Sequence, residues 1–165
     1  MLRILIIGSG AREHAIARSI FLSPKKKEIY CLATNYNPGI SKVCNNIVVK
    51  DINNQDIVKN YAKEQKIDFA IIGPENPLAN GIVDALTDIG VGSIGPKKNL
   101  AKVETSKSFT RKLLTDYKIP GCPKFKIFSS MNGVKDFLED LGEEYVVKYD
   151  GLAGGKGVKV AGDHL

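Results

Sequence analysis

The three cysteines, Cys31, Cys44 and Cys122, form no Cys-x-x-Cys pair and are odd in number. That speaks against a disulfide framework and a thiolate zinc site, and it fits free thiols buried as small hydrophobes in a reducing compartment. Long apolar runs are absent too. The run at the amino terminus, Leu2 to Ile7, is too short for a signal peptide or a membrane span, and Gly8 ends it. The expectation is a cytoplasmic protein with no membrane partner. Positive charge is present but dispersed: of a net +6, only Lys25-Lys26-Lys27 is tightly clustered, and no aromatic or arginine group accompanies it. It reads as a solvated turn after Pro24, so no nucleic-acid partner is expected. There is no internal repeat and no low-complexity segment.

Two nucleotide-binding motifs are begun and left incomplete. Gly155-Lys156 is followed by Gly157, where a Walker-type loop needs a Ser or Thr hydroxyl for Mg²⁺, and Asp150 stands where its first glycine belongs. Gly8-Ser9-Gly10 starts a dinucleotide fingerprint, but Glu13 occupies the place of the third glycine. The strand that follows ends in Thr34-Asn35, with no acid for a ribose hydroxyl. A nicotinamide-dependent dehydrogenase therefore lacks two requirements, and absence of nicotinamide binding by fluorescence would dismiss it.

What is present is an alternation of strands and helices. Leu2–Ile7 is a near-continuous apolar run, as in a strand buried on both faces, and Ala11 to about Leu22 carries Ile16 and Ile20 on one helical face. Strands are expected at Ile29–Ala33, Ile47–Val49, Phe69–Ile72 and Gly92–Ile94. Helices are expected from Asn53 or Asn54 to about Lys66 and from Gly81 to about Ile89. This pattern predicts an α/β fold, a doubly wound, Rossmann-like parallel sheet, over residues 1–100. Ligands of such sheets sit beyond the carboxyl ends of the strands. There the sequence places Gly8-Ser9-Gly10, Asn35 to Gly39 and Gly73-Pro74-Glu75. A single phosphate on the Ser9–Arg12 turn, met by Arg12, is the reading of the first of these. His14, in the first turn of a helix and with no acid pair, reads as a hydrogen-bonded structural residue.

After about residue 100 the order changes to helix (about Asn99 to Tyr117, with a break near Thr105-Ser106), strand (Lys124–Phe128), helix (about Met131 to Leu141) and a closing hairpin. The hairpin is the most informative stretch. Val146-Val147-Lys148 leads into Gly151, Gly154, Gly155, Lys156 and Gly157, and Val158-Lys159-Val160 leads out. A glycine tip lets backbone N–H groups approach an anion, and the two lysines supply point charges for phosphate oxygens. Residues 101–165 thus read as an α+β segment built around a phosphate hairpin.

Five blocks together resemble the glycinamide ribonucleotide synthetase (phosphoribosylamine–glycine ligase) family of the ATP-grasp superfamily. They are Ile7 to Ala15, Gly73-Pro74-Glu75-Asn76-Pro77-Leu78, Ile94-Gly95-Pro96, Glu104 to Phe109, and Val147 to Val158. The resemblance implies a pre-ATP-grasp amino-terminal domain, followed by the incomplete start of an ATP-grasp domain. It further implies ATP-driven ligation of glycine to 5-phosphoribosylamine through a glycyl phosphate, in purine biosynthesis. It assigns ATP phosphates to Lys107, Lys148, Gly151, Gly154, Gly155, Lys156 and Gly157. Phosphoribosylamine is assigned to Gly8, Ser9, Gly10, Arg12, Glu13, Pro74 and Glu75. No catalytic residue is assigned. Mg²⁺ (or Mn²⁺) ligands are expected beyond Leu165, which makes an amino-terminal fragment, inactive alone, the expectation; separately, a monomer is expected. The loop Asn35–Gly39 departs from the family pattern and receives no role. Tyr149 and Gly154 stand where the family usually has alanine. The remaining alternatives are another ATP-grasp ligase, which would share the hairpin but not the block beginning Gly8-Ser9-Gly10, and a non-catalytic nucleotide- or sugar-phosphate-binding module.

Overall fold

The computed structural model describes residues 1–162; the last three residues of the expected ATP-grasp segment lie outside the described residues. The chain divides into two compact units, the first being Met1–Ala101 and the second beginning at Lys102.

The first unit is a five-stranded parallel sheet in the order β3-β2-β1-β4-β5. Its strands are β1 (Leu2–Ile7), β2 (Lys27–Ala33), β3 (Asn46–Val49), β4 (Phe69–Ile72) and β5 (Gly92–Ile94). The helices are α1 (Ala11–Leu22), α2 (Pro38–Ser41), α3 (Gln55–Glu64), α4 (Glu75–Ala79) and α5 (Ile82–Thr87). Central β1 pairs with both β2 and β4, with Ile4 opposite Ile29 on one side and Phe69 on the other. Because strand side chains alternate between faces, β1 feeds two cores. Leu5 and Ile7 join Val58, Tyr61, Ile82 and Leu86 of α3 and α5. Ile6 goes the other way, to Ala17 of α1 and Ile29. Leu5, Ile6 and Ile7 are fully buried. Helices therefore cover both faces, and the doubly wound expectation holds.

This strand order has a consequence for function. The chain runs outward from β1 through β2 to β3, then crosses back to β4 on the other side of β1. The turns after β1 and β4 consequently flank the place where the winding reverses, the usual opening for a ligand in such sheets.

The second unit holds the latter half of α6 (Lys98–Thr105), with α7 (Lys107–Asp116), α8 (Val134–Leu141) and an antiparallel hairpin of β6 (Val146–Lys148) and β7 (Val158–Val160). The break expected near Thr105-Ser106 separates α6 from α7, because Ser106 leaves the helical conformation and caps α7 by accepting from Phe109 N–H. The strand expected at Lys124–Phe128 does not form; no described strand pairs with it. Its alternating side chains are used differently. Phe128 packs on Phe137 of α8 at 5.9 Å, and Lys126 Nζ lies 5.2 Å and 5.7 Å from those two rings. Aromatic and cation–π contacts hold the segment in place of a ladder. The short helices α2 and α4 were not expected from the sequence.

Candidate functional site

In the first unit the two motif turns meet. Gly8 N–H donates to Leu32 O at 2.9 Å and Gly73 N–H to Ile7 O at 3.0 Å, so each turn continues the sheet's own pairing. Arg12, on the first turn of α1, donates through a guanidinium N–H to Glu75 Oε1 at 2.9 Å, and its Nε lies 3.6 Å from Glu13 Oε1. Of the sequence-predicted residues, Gly8, Ser9, Gly10, Arg12, Glu13, Pro74 and Glu75 are thus brought to one rim. Glu13 differs from the rest in direction. Its side chain turns beneath the rim, where it is 4% exposed, the one charged side chain in the buried set. There its Oε2 accepts from Gly10 N–H at 2.6 Å.

The loop after β2, expected at the ligand end of the sheet but without an assigned role, joins the same rim. Ser9 Oγ and Thr34 Oγ1 are 3.0 Å apart, and Asn37 Nδ2 donates to Ser9 O at 2.9 Å. Asn37 also caps α2 by accepting from Gly39 and Ile40 N–H, ahead of Pro38 in the first helical position. That cap was the signal available in the sequence. His14 packs its imidazole against Gly39, where a Cβ would lie 2.5 Å from the ring. This agrees with a structural role.

The Arg12 hydrogen bond is the first cause holding the Glu75 carboxyl below its ordinary value of 4.5. A carboxyl lowered on folding adds stability above its unfolded pKa and loses it as pH falls through the folded value. Replacing Glu75 by Gln is therefore expected to lower stability modestly near neutrality, to leave it little changed in acid, and so to flatten its decline below about pH 4.5. Urea midpoints of both chains across that range check this; parallel acid limbs would show that the pair does not report on folding.

In the second unit, a hydrogen-bond network between segments far apart in sequence sets the root of the glycine loop. Asp150 accepts from Ser108 N–H at 3.2 Å and from the Ser106 hydroxyl at 3.3 Å, and it also accepts from the Ser108 hydroxyl. The carboxylate thereby caps the start of α7, and the Ser108 side chain is the main reason its pKa is lowered. Lys107 Nζ donates to Gly151 O at 2.7 Å, which places that lysine against the loop. Beyond it, Tyr149 N–H donates to Gly157 O at 2.8 Å and closes the base. Gly154 and Gly155 form an open tip with φ of +54° and +78°, conformations that suit glycine. Lys148, opposite Val158, and Lys156 are both exposed. Sequence reasoning missed the parts played by Ser106, Ser108 and Asp150. A cavity of about 330 Å³ beneath α8, lined by Met131, Val134, Leu138 and Tyr145 among others, touches none of the predicted residues.

A family model described as phosphoribosylglycinamide synthetase, N domain, matches residues 2–104, well over half of the chain. The chain belongs to the phosphoribosylglycinamide synthetase family. The ATP-grasp (A) domain model of that family follows over residues 105–164. The phosphoribosylamine–glycine ligase of Methanopyrus kandleri is 45% identical over all of this chain, which spans 37% of that protein's length. Among solved structures, N5-carboxyaminoimidazole synthetase from Staphylococcus aureus in complex with ADP is similar over 97% of this chain and 41% of its own, with a TM-score of 0.76 at 17% identity. Phosphoribosylglycinamide synthetase from Anaerococcus prevotii is similar over 97% of this chain and 38% of its own, with a TM-score of 0.62 at 18% identity. At these identities the solved structures speak for the shared α/β fold alone. Among the described residues no helix is long and apolar enough to cross a membrane, and no group of three or more His, Cys, Asp or Glu could hold a metal ion.

Proposed function

We propose that residues 1–100 form the phosphoribosylamine side, and residues from 101 onward the first part of the ATP side, of an enzyme that ligates glycine to 5-phosphoribosylamine. In that reaction a glycine carboxylate oxygen attacks the γ-phosphorus of ATP, releasing ADP. The amine of phosphoribosylamine then attacks the glycyl carbonyl carbon, phosphate leaves, and the nitrogen loses a proton. The product is glycinamide ribonucleotide, an intermediate of purine biosynthesis.

One observation carries the substrate half of this reading: the 2.9 Å Arg12–Glu75 bond that unites the two motif turns beside the reversal of the sheet. Arg12 gives the rim a cation for a sugar phosphate, while Glu75 and Ser9 offer acceptors to hydroxyl or amine hydrogens. Gly8, Gly10 and Pro74 keep the backbone low around them. On the ATP side, an anion attacking a polyanion needs fixed positive charge, and Lys107, Lys148 and Lys156 supply it. Gly151, Gly154, Gly155 and Gly157 let the loop fold over the phosphates. Among the described residues no donor set fits the family's Mg²⁺, so no step here is routed through it. A cytoplasmic monomer completes the reading.

Calorimetric titrations of the chain with ribose 5-phosphate and with ATP, run separately, test it. Saturable ribose 5-phosphate binding with weak or no ATP binding is expected. No heat with ribose 5-phosphate would defeat the substrate half. Detectable glycinamide ribonucleotide formation by the 165-residue chain would show that it is more than a part of the site.

A further inference from the structure

The amino end of α1 is where a doubly wound sheet ordinarily receives a ligand's phosphates, through free backbone N–H groups and glycines that let the ligand approach. Here that space is taken. Glu13 Oε2 accepts from Gly10 N–H at 2.6 Å. A Cβ on Gly10 would lie 2.9 Å from that same oxygen, and one on Gly8 would lie 2.8 Å from Glu13 Cγ. One on Gly73 would lie 2.1 Å from Glu13 Oε1. Three glycines from two turns therefore close around one buried carboxylate, which stands where the third glycine of the dinucleotide fingerprint would be.

We infer that Glu13 is a specificity-determining residue: its carboxylate is a built-in anion that fills the start of α1 and closes it to pyrophosphate-bearing ligands such as dinucleotides. Two effects combine. The Gly10 N–H is already engaged, so a phosphate oxygen arriving there finds no donor. A second negative charge would also lie next to the first, beside a helix end whose partial positive charge is neutralised. The rim is left to ligands that approach from above through Arg12, Ser9 and Glu75. This goes beyond the sugar-phosphate reading and holds whether or not that reading does.

The substitution Glu13→Gly is informative, because it completes Gly-x-Gly-x-x-Gly in this chain. The probe is inorganic pyrophosphate, followed by the backbone amide shifts of Gly8 to Arg12. The unaltered chain is expected to show no saturable shift at Gly10. Glu13→Gly is expected to bind pyrophosphate at least about tenfold tighter, the scale of one charge-assisted hydrogen bond gained and one repulsion lost. Glu13→Gln, which keeps an acceptor for Gly10 N–H but loses the negative charge, is expected to gain less, about two- to threefold over the unaltered chain. Glu13→Ala replaces the glycine variant should that one fail to fold by circular dichroism. Saturable binding at Gly10 in the unaltered chain overturns the inference, as does a folded Glu13→Gly or Glu13→Ala with no gain. A gain by Glu13→Gln equal to that of Glu13→Gly overturns the occupancy argument as well. A parallel ribose 5-phosphate titration reports on the proposed function alone, so the two can fail separately.

Discussion

Replacing Gly73 by alanine is expected to lower the stability of the chain by about 3 kcal/mol, although the residue lies at a turn. Its backbone does not need a positive φ, so the effect comes from space alone. The new methyl would fall 2.1 Å from Glu13 Oε1 and 2.5 Å from both Cδ and Cγ. Glu13 cannot swing aside without giving up its bond to Gly10 N–H. The way past Gly8 is also narrow, since Pro74 Cδ lies 2.8 Å from the Cβ position there. An overpacked buried charge that loses its donor combines two of the more costly mechanisms known for single substitutions. Urea denaturation with an unchanged m-value measures the loss. Glu13→Ala in the Gly73→Ala background should then restore part of it, with a coupling of about 1–2 kcal/mol, because the obstructing atoms are gone. Simple additivity of the two substitutions would show that the turns are not packed on Glu13.

A larger contrast is expected between the two units. Every buried hydrophobic residue of the described chain lies between Ile4 and Ala101. Neither α7 nor α8 buries a single residue, and all three residues of β6 are exposed. Local opening free energies follow the density of buried apolar contact, so the hydrogen bonds of the second unit have little to protect them. Amides of α7, α8 and the hairpin are expected to exchange at least about 100-fold faster than those of β1, β2 and β4, a gap of roughly 2.7 kcal/mol. Hydrogen exchange followed by mass spectrometry or NMR resolves this. Uniform protection across both units would contradict it.

Much of the first unit was legible because its signals are local. Leu2–Ile7 announces a two-faced strand by being apolar throughout, and the glycine hairpin by alternation on both sides of its tip. Other features depend on what lies far away in sequence. Glu13 in the sequence is a fingerprint glycine that is missing or a polar rim residue; its inward course follows from the nearness of Gly73, some sixty positions on. Asp150 caps a helix that begins more than forty residues earlier, and no window of sequence links them. Lys124–Phe128 has the alternation of a strand, but the pairing edge it would need is absent among the described residues, and Phe137 captures it instead. The helices α2 and α4 escaped because four or five residues cannot display a helical period, although Asn37 before Pro38 was a usable cap.

The most direct measurement is a ribose 5-phosphate titration of the chain followed amide by amide. If the rim is one cavity, the amides from Gly8 to Arg12 and those of Gly73, Glu75 and Asn76 should shift along a single saturation curve with one dissociation constant. A response confined to one turn, or two turns saturating at different concentrations, would mean that no common substrate seat exists at the rim.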